Sequence, residues 1–379
     1  MLKQIFSKDV IIKLLFFWLI VVLFQIFSSE INSFMYGSNA LILFVVLLFV
    51  IVFASFTVVK QADVIAHKLG EPYGTLILTL SIVVIEVVLI LAMLFGEEPN
   101  PTIAKDSVFS VLMIIINLVV GACLLIGGIK YQHQSYNAPG IMSYLSMIII
   151  LGGIGIILPS FVNGKGNGEL TEVQAISIAI ATLVLYFYFL YNQIGKYSFM
   201  YKQPQNNEFE YTETYSISQD SVSKIKIGRS ELVWRIIVLI IFILPIVLLS
   251  HNLGAVVDYE IKELNLPNSL GGIIIAIIVF TPESITALKA VFQNELQRTI
   301  NLCHGACVST VGLTIPSVLI IGLLMDKQIL LGLTNTEIVL FIVTFLLSLL
   351  AFNGRKTYPL LGALHLVLFV IYIVLIFNS

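Results

Sequence analysis

Two glutamates within long apolar runs carry the chemistry that this sequence suggests. Glu86 follows Gly74 by twelve residues, and Glu283 follows Gly271 by the same interval. In a helix this interval is a rise of roughly 18 Å, so a glycine near one membrane surface places its glutamate towards the bilayer midplane. A carboxylate at that depth is costly and indicates an ion- or proton-binding site. Two such sites in related segments predict a duplicated transporter.

The surroundings of Glu86 suggest how such a site works. No basic residue stands within a helical turn or two of it to neutralise its charge. A carboxyl group in that setting is expected to be protonated or to hold a cation. Competition between a proton and a cation for one group follows directly, and it is the physical basis of an antiporter. The alternative is a protonated glutamate that only forms a hydrogen bond between helices.

The residues next to Glu283 predict further oxygen ligands. Pro282 lacks a backbone N–H and disrupts the preceding turn, which frees a carbonyl near residue 278. Free carbonyls beside a carboxylate suit a hard cation such as Ca²⁺, which takes several oxygen ligands at once. The hydroxyls of Thr281 and Ser284 are predicted to add to that set. A proline kink that serves only helix packing is the alternative.

Other polar and small residues in the apolar runs are candidates for completing the site. We predict Glu86 and Glu283 as the metal ligands, with secondary ligands at Thr79, Asn117, Thr281, Ser284 and Ser309 and site walls at Pro282, Gly305 and Ala306. Small residues also let helices approach closely, so packing is the alternative for most of them. Cys303, His304 and Cys307 resemble a soft-metal set, but two thiols and a histidine on another part of the helix do not favour one.

Composition sets the architecture that must position these residues. The 379 residues are 58% hydrophobic and 11% charged, with a mean hydropathy of +1.02, against roughly 45–50% apolar and about 25% charged in soluble domains. Repeated apolar stretches predict an all-α polytopic membrane protein with eleven transmembrane helices. The spans are placed near residues 10–27, 40–59, 73–95, 107–129, 141–162, 173–192, 232–250, 270–292, 300–325, 336–352 and 358–377.

The basic residues predict the orientation. With a cytoplasmic N-terminus, sixteen of the twenty Lys and Arg residues fall on the cytoplasmic side, and the other side keeps Lys105, Lys165, Lys262 and Lys327. This asymmetry is what the positive-inside rule expects. An odd number of spans then places the C-terminus outside. The predicted location is the bacterial inner membrane.

The orientation makes the helices of Glu86 and Glu283 antiparallel, which predicts two inverted repeats. The predicted organisation is an N-terminal helix with its outer loop (1–39), a first five-helix repeat (40–192), a cytoplasmic linker (193–231) and a second five-helix repeat (232–379). Inverted repeats of this kind build a site at their interface near the midplane, with alternating access by rocking of one half or bundle.

Several motifs resemble one family of transporters. Gly70-Glu71-Pro72-Tyr73-Gly74, followed by Glu86, and Pro282-Glu283-Ser284, leading to Gly305 and Pro316, resemble the cation/proton exchangers of the calcium/cation antiporter superfamily, and within them the ChaA-type calcium/proton antiporters. The resemblance implies that Glu86 and Glu283 are the acidic centres of the two repeat motifs. It also implies that Asn117 is the polar residue on the helix after the first motif.

The sequence departs from the family pattern beside both acids. Gly-Asn-Ala usually precedes each glutamate, whereas Val-Val-Ile stands at 83–85 and Phe-Thr-Pro at 280–282. Fewer asparagine amides mean fewer side-chain ligands, so Na⁺ or K⁺ exchange stands beside Ca²⁺ exchange.

We therefore expect a secondary active antiporter that exports Ca²⁺, or alternatively Na⁺ or K⁺, in exchange for protons. A passive cation channel is a weaker alternative. An intramembrane enzyme is not expected, because the sequence has no His-Glu-x-x-His motif or Ser/His pair. The expected partners are inorganic cations, protons and the lipid bilayer, with no nucleic acid and no cofactor, and a homo-oligomer stays open.

Overall fold

The computed structural model describes residues 5–35, 37, 39–69, 73–95, 100–132, 134–162, 168–204, 228–354 and 356–377. Within these ranges eleven helices form one bundle: α1 Lys8–Ile26, α2 Ala40–Leu69, α3 Tyr73–Leu94, α4 Ile103–Tyr131, α5 Ala138–Ser160, α6 Glu172–Ile194, α7 Arg229–Glu263, α8 Leu270–Phe292, α9 Leu296–Leu324, α10 Asn335–Ala351 and α11 Pro359–Ile376. The predicted class and number of helices are confirmed.

In the described part of the chain, nine helices are long and apolar enough to cross a membrane. The other two are shorter apolar helices, α10 and the stretch Leu80–Leu94 of α3. The remaining elements are a short helix, Ser28–Met35, a 3₁₀ turn, Ser198–Tyr201, and an antiparallel pair of two-residue strands, β1 (Gln134–Ser135) and β2 (Lys356–Thr357).

Two predicted spans were too short. The spans near 40–59 and 232–250 are helices of 30 and 35 residues, α2 and α7, and α7 continues through Pro245. The prediction counted only apolar residues, whereas both helices continue through polar residues such as Lys60 and Asp258. The two long helices pack against each other over much of their length, and that contact stabilises turns that hydropathy alone does not mark.

Three helices contain π-helical turns: Met113–Val120 in α4, Gly153–Ile157 in α5 and Thr310–Thr314 in α9. Such turns are rare, and they are frequent at functional sites. The first residue of the π turn in α4 follows Glu86 by 27 residues, and the first residue of the π turn in α9 follows Glu283 by the same 27. The same backbone feature therefore recurs at the same distance from each glutamate.

The helix contacts also occur in corresponding pairs. The helix of Glu283, α8, packs on α4, and the helix of Glu86, α3, packs on α9. Likewise α11 packs on α4 while α6 packs on α9. Each of these contacts therefore has a counterpart between the corresponding helices of the two predicted five-helix units. The inverted relation and the boundaries 1–39, 40–192, 193–231 and 232–379 stay predictions, and residues 205–227 of the linker lie outside the described ranges.

The contact between α8 and α4 depends on Gly272. A Cβ atom at Gly272 would lie 2.6 Å from the Asp106 carbonyl oxygen and 2.6 Å from the Ser107 backbone nitrogen. Both are backbone atoms, so neither can move aside as a flexible side chain would. The absence of a side chain is what lets the two helices approach this closely.

We expect Gly272→Ala to lower stability, because overpacking against backbone costs about 1–3 kcal/mol and exceeds the gain in helix propensity of about 1 kcal/mol. The matched control is Gly153→Ala, since a Cβ atom there would meet no neighbouring atom within 4 Å. Thermal unfolding of the purified protein in detergent measures both. Equal melting temperatures for the two variants would contradict the proposed close contact.

Candidate functional site

Glu86 lies in the interior of the bundle, on α3. Its side chain is fully buried, so it faces neither lipid nor water. One carboxyl oxygen, Oε2, accepts hydrogen bonds from the hydroxyls of Thr310 and Thr314, at 3.0 and 2.9 Å. The other, Oε1, is buried without a hydrogen-bond partner in the described part of the chain. Glu86 thus presents one satisfied oxygen and one free oxygen.

The spacing of two threonines on α9 explains why they reach the same atom. Thr310 and Thr314 are the first and last residues of its π turn, and residues four apart lie on one face of a helix. Both hydroxyls then point at one carboxyl oxygen. Each donates a hydrogen bond to a charged or readily charged group, which is among the stronger kinds of hydrogen bond.

Glu283 lies on α8, which continues as a helix through Pro282. Its Oε2 atom is buried without a hydrogen-bond partner in the described structure. Its carboxyl group is within electrostatic range of Glu86. The two predicted acids are therefore brought into one region of the bundle interior, as the sequence analysis requires.

Helix α9 forms a wall that both acids share. Its residues Thr310 and Thr314 bind Glu86, while the buried Cys307 thiol is within electrostatic range of both carboxyl groups. Searching the described residues finds no group of three or more His, Cys, Asp or Glu side chains that could hold a metal ion. The acidic centre therefore consists of two carboxyl groups surrounded by hydroxyl, thiol and apolar side chains.

Asn117 makes a different set of contacts. Its amide nitrogen donates to the Thr344 hydroxyl at 2.9 Å, and its amide oxygen pairs with His365 Nδ1 at 2.8 Å. Both partners are fully buried, and they come from α10 and α11. In its observed orientation the Asn117 amide is occupied by these neighbours, so its role as an ion ligand stays a prediction.

The remaining predicted ligands bond within their own helices. Thr281 donates to the Ile277 carbonyl, Ser284 to the Phe280 carbonyl at 2.8 Å and Ser309 to the Ala306 carbonyl at 2.8 Å. Gly305 faces the ring of Tyr144, and the Thr79 side chain lies outside the described structure. Their roles as ligands or site walls stay predictions.

The sequence analysis missed Thr310 and Thr314 as partners of Glu86. A signal for them exists in the spacing, because they follow Glu283 by 27 and 31 residues, the same intervals by which Met113 and Asn117 follow Glu86. Since Asn117 was singled out, its counterpart in the second half, Thr314, could have been found from this interval. The pairing of Asn117 with His365 and Thr344 had no comparable signal.

Neutral hydrogen bonds cross the end of the bundle at which α8 ends, beside the ion pairs of Glu231 with Lys68 and Arg235. We call it the Gln293 end, and it is the predicted cytoplasmic face. After α6 the chain crosses this end: the Asn301 side chain donates to the Tyr201 carbonyl at 2.6 Å, and the Gln297 backbone donates to the Gln203 side chain at 2.9 Å. The Tyr201 hydroxyl pairs with Ser143, and burial raises the pKa of Tyr201. The phenol therefore stays neutral at physiological pH.

Comparison with known proteins places the chain in a family. The sequence model of the family described as sodium/calcium exchanger protein matches residues 39–195 and 234–378. The chain belongs to this family. The match confirms the superfamily resemblance inferred from the motifs around Glu86 and Glu283, and it covers both halves of the membrane region.

Individual relatives agree with this membership. The chain is 32% identical over 324 residues to the sodium-potassium/proton antiporter ChaA of Escherichia coli (strain K12), covering 86% of each chain. A structure of native YfkE matches with a TM-score of 0.71 at 19% identity, covering 96% of this chain and 100% of that one. The H⁺/Ca²⁺ exchanger CAX matches with a TM-score of 0.64 at 14% identity, covering 97% and 88%. These structures show that the fold is shared.

We expect Thr310→Val and Thr314→Val each to impair the acidic site. Each removes one hydroxyl donor from a buried carboxyl oxygen, a loss of about 1–3 kcal/mol, and about 1.4 kcal/mol corresponds to a tenfold change in affinity. The measurement is the cation concentration that gives half-maximal cation-dependent proton movement in proteoliposomes. This half-maximal cation concentration should rise about tenfold in each single variant and rise further in the double variant.

The matched control is Thr182→Val. Thr182 is also fully buried, but its hydroxyl donates only to carbonyls of its own helix, at Ile178 and Ala179. This variant should leave the half-maximal cation concentration within about twofold of the parent. An equal effect of all three substitutions would show that the hydroxyls at Glu86 have no special role.

Proposed function

We propose that this protein is a secondary cation/proton antiporter in which Glu86 and Glu283 alternately bind protons and the exported cation. One observation carries the proposal: Glu86 and Glu283 lie within electrostatic range of each other, and each has a buried oxygen without a hydrogen-bond partner among the described residues. Neither forms an ion pair with a basic side chain of the described structure. The negative charge of the two carboxylates therefore has to be neutralised by a proton or cation that enters the site.

Elementary electrostatics limits what can enter. Two nearby carboxylates in a low-dielectric interior cannot both stay ionised without compensating charge. Protons remove the charge, and a cation neutralises it. Since both occupants compete for the same free oxygens, binding of one favours release of the other, and this competition couples the two fluxes.

The oxygen ligands support Na⁺ or K⁺ as the exported cation. Ca²⁺ takes 6–8 oxygen ligands, whereas one of the four carboxyl oxygens of Glu86 and Glu283 already accepts two hydrogen bonds. The relative that is 32% identical is named a sodium-potassium/proton antiporter. Ca²⁺ is the second candidate, because two carboxylates in electrostatic range match its double charge.

The family relationship supports a transporter with an alternating mechanism over a passive channel. The model of the sodium/calcium exchanger protein family matches both halves of this chain. The buried position of Glu86 supports the same conclusion, since a carboxylate lining an open pore would be exposed to water, whereas this one is fully buried.

We expect Glu86→Gln and Glu283→Gln each to abolish cation-dependent proton movement, because an amide can neither take up a proton at neutral pH nor supply a negative charge. The test uses proteoliposomes with a trapped pH dye and an imposed cation gradient. Glu295→Gln is the matched control, because Glu295 pairs with Arg298 at the surface. Normal exchange in either of the two buried-site variants would overturn the proposed mechanism.

The same vesicles identify the cation and exclude a channel. Na⁺, K⁺ and Ca²⁺ are supplied one at a time against choline at equal ionic strength. An antiporter should move protons uphill when the cation gradient is imposed. Proton movement that only follows the membrane potential would instead show a passive channel. The cation with the lowest half-maximal concentration is assigned as the exported ion.

A further inference from the structure

A second charged region lies at the other end of the bundle, which we call the Pro267 end and which is the predicted outer face. A cavity of about 450 Å³ opens there between α4, α8, α10 and α11. Its polar lining includes Thr102, Lys105, Asp106, Ser110, Glu337 and Tyr372. The proposed exchange at Glu86 and Glu283 leaves these side chains without a role.

The charges in this cavity are unusually buried. Lys105 and Asp106 are only 8% and 5% exposed, and both lie in the first turns of a membrane-spanning helix. Ionisable groups at such positions are costly to bury and mark ion pathways by default. The cavity also lies on the helix that leads inward, because Ser110 precedes Asn117 by seven residues, roughly 10 Å along α4.

The Lys105 ammonium lies between two carboxylates. It lies 3.3 Å from Asp106 Oδ1 and 3.4 Å from Glu337 Oε2. Charge-assisted hydrogen bonds of this type are usually about 2.7–2.9 Å long. Both contacts of the Lys105 ammonium are longer than this.

The carboxylates themselves are held by other groups. Asp106 Oδ2 accepts the Thr102 hydroxyl at 2.6 Å, and Glu337 Oε2 accepts the Thr334 backbone N–H at 2.7 Å within the capping box of α10. Removing the ammonium would leave these bonds in place. The two carboxylates are thus held in position to bind a positive charge whether or not the Lys105 ammonium lies between them.

The net charge between the two carboxylates determines which class of cation can replace the ammonium. Two carboxylates and one ammonium carry one negative charge in excess, and an alkali cation in place of the ammonium would keep that balance. The hydrogen bonds from Thr102 and Thr334 also reduce the negative potential of the two carboxylates at the position of the ammonium. A singly charged ion is therefore the replacement that leaves the net charge of this site unchanged.

We infer that Asp106 and Glu337 form a second cation site at the Pro267 end, which the Lys105 ammonium occupies until an alkali cation displaces it. The exported ion would meet this site on its way out, so its part in transport rests on the proposed function. The binding site itself does not, because it consists of residues separate from Glu86 and Glu283.

The first test measures binding with the central acids silenced. In a full-length Glu86→Gln/Glu283→Gln background, the melting temperature in detergent is followed as Na⁺ or K⁺ replaces choline at constant ionic strength. Adding Lys105→Met should lower the half-saturating alkali concentration at least tenfold, because the competing ammonium is gone. Adding Asp106→Asn should remove the cation effect. Lys327→Met, at an exposed lysine of the same predicted face, should change nothing.

A second measurement needs no substitution. In the unaltered protein, the reaction of Lys105 with an amine-reactive reagent is followed by peptide mass spectrometry as Na⁺ or K⁺ replaces choline. The fraction labelled should rise severalfold with the alkali cation, because the displaced ammonium becomes accessible. Labelling that does not respond, together with equal half-saturating concentrations with and without Lys105, would overturn the inference and leave a purely structural ion pair.

The two proposals fail separately. If Glu86→Gln and Glu283→Gln leave exchange intact, the proposed function is wrong, whereas alkali binding at Asp106 and Glu337 is still measured directly. If exchange requires both glutamates but Lys105→Met leaves alkali binding unchanged, only the second site is wrong.

Discussion

Glu86 is fully buried and Glu283 half-buried in an apolar bundle, and neither has a basic partner among the described residues. The rest of the central structure follows from that constraint. An isolated buried carboxylate is expensive, and among the described residues the hydrogen-bond donors to Glu86 are the neutral hydroxyls of Thr310 and Thr314. Those hydroxyls offset part of the cost of burial but supply no countercharge. An ionised Glu86 therefore lacks a countercharge among the described residues, and a bound proton or cation would remove that cost.

Helix α9 is the element that makes this arrangement work. Its π turn directs two hydroxyls at Glu86, and the turn before it places Cys307 within electrostatic range of both acids. The corresponding π turn of α4 begins at Met113, but Asn117 there binds Thr344 and His365. The two halves thus share a backbone feature and use it with different side chains. Glu86 is held by hydrogen bonds, while Glu283 keeps an unpaired oxygen.

The sequence was sufficient to predict the helices and to single out the two acids as candidates, because both depend on composition and on local spacing. Apolar runs mark membrane helices directly, and a glutamate inside such a run stands out. The partners of Glu86 were not predictable in the same way. The sequence does not tell which face of α9 meets Glu86, so it does not separate Thr310 and Thr314 from Ser309, whose hydroxyl donates to the Ala306 carbonyl instead. The lengths of α2 and α7 were missed because their mutual packing extends them through polar residues.

Ion pairs lie at both ends of the bundle, and they differ in burial. At the Gln293 end Glu231 pairs with Lys68 and Arg235, beside the neutral hydrogen bonds of Gln203 and Asn301. The Lys68 side chain there is 28% exposed, whereas the Lys105 side chain at the Pro267 end is 9% exposed. Water and salt screen buried charges less than exposed ones, so a cation that passes the Pro267 end would interact more strongly with the ion pairs of Lys105 than with that of Lys68.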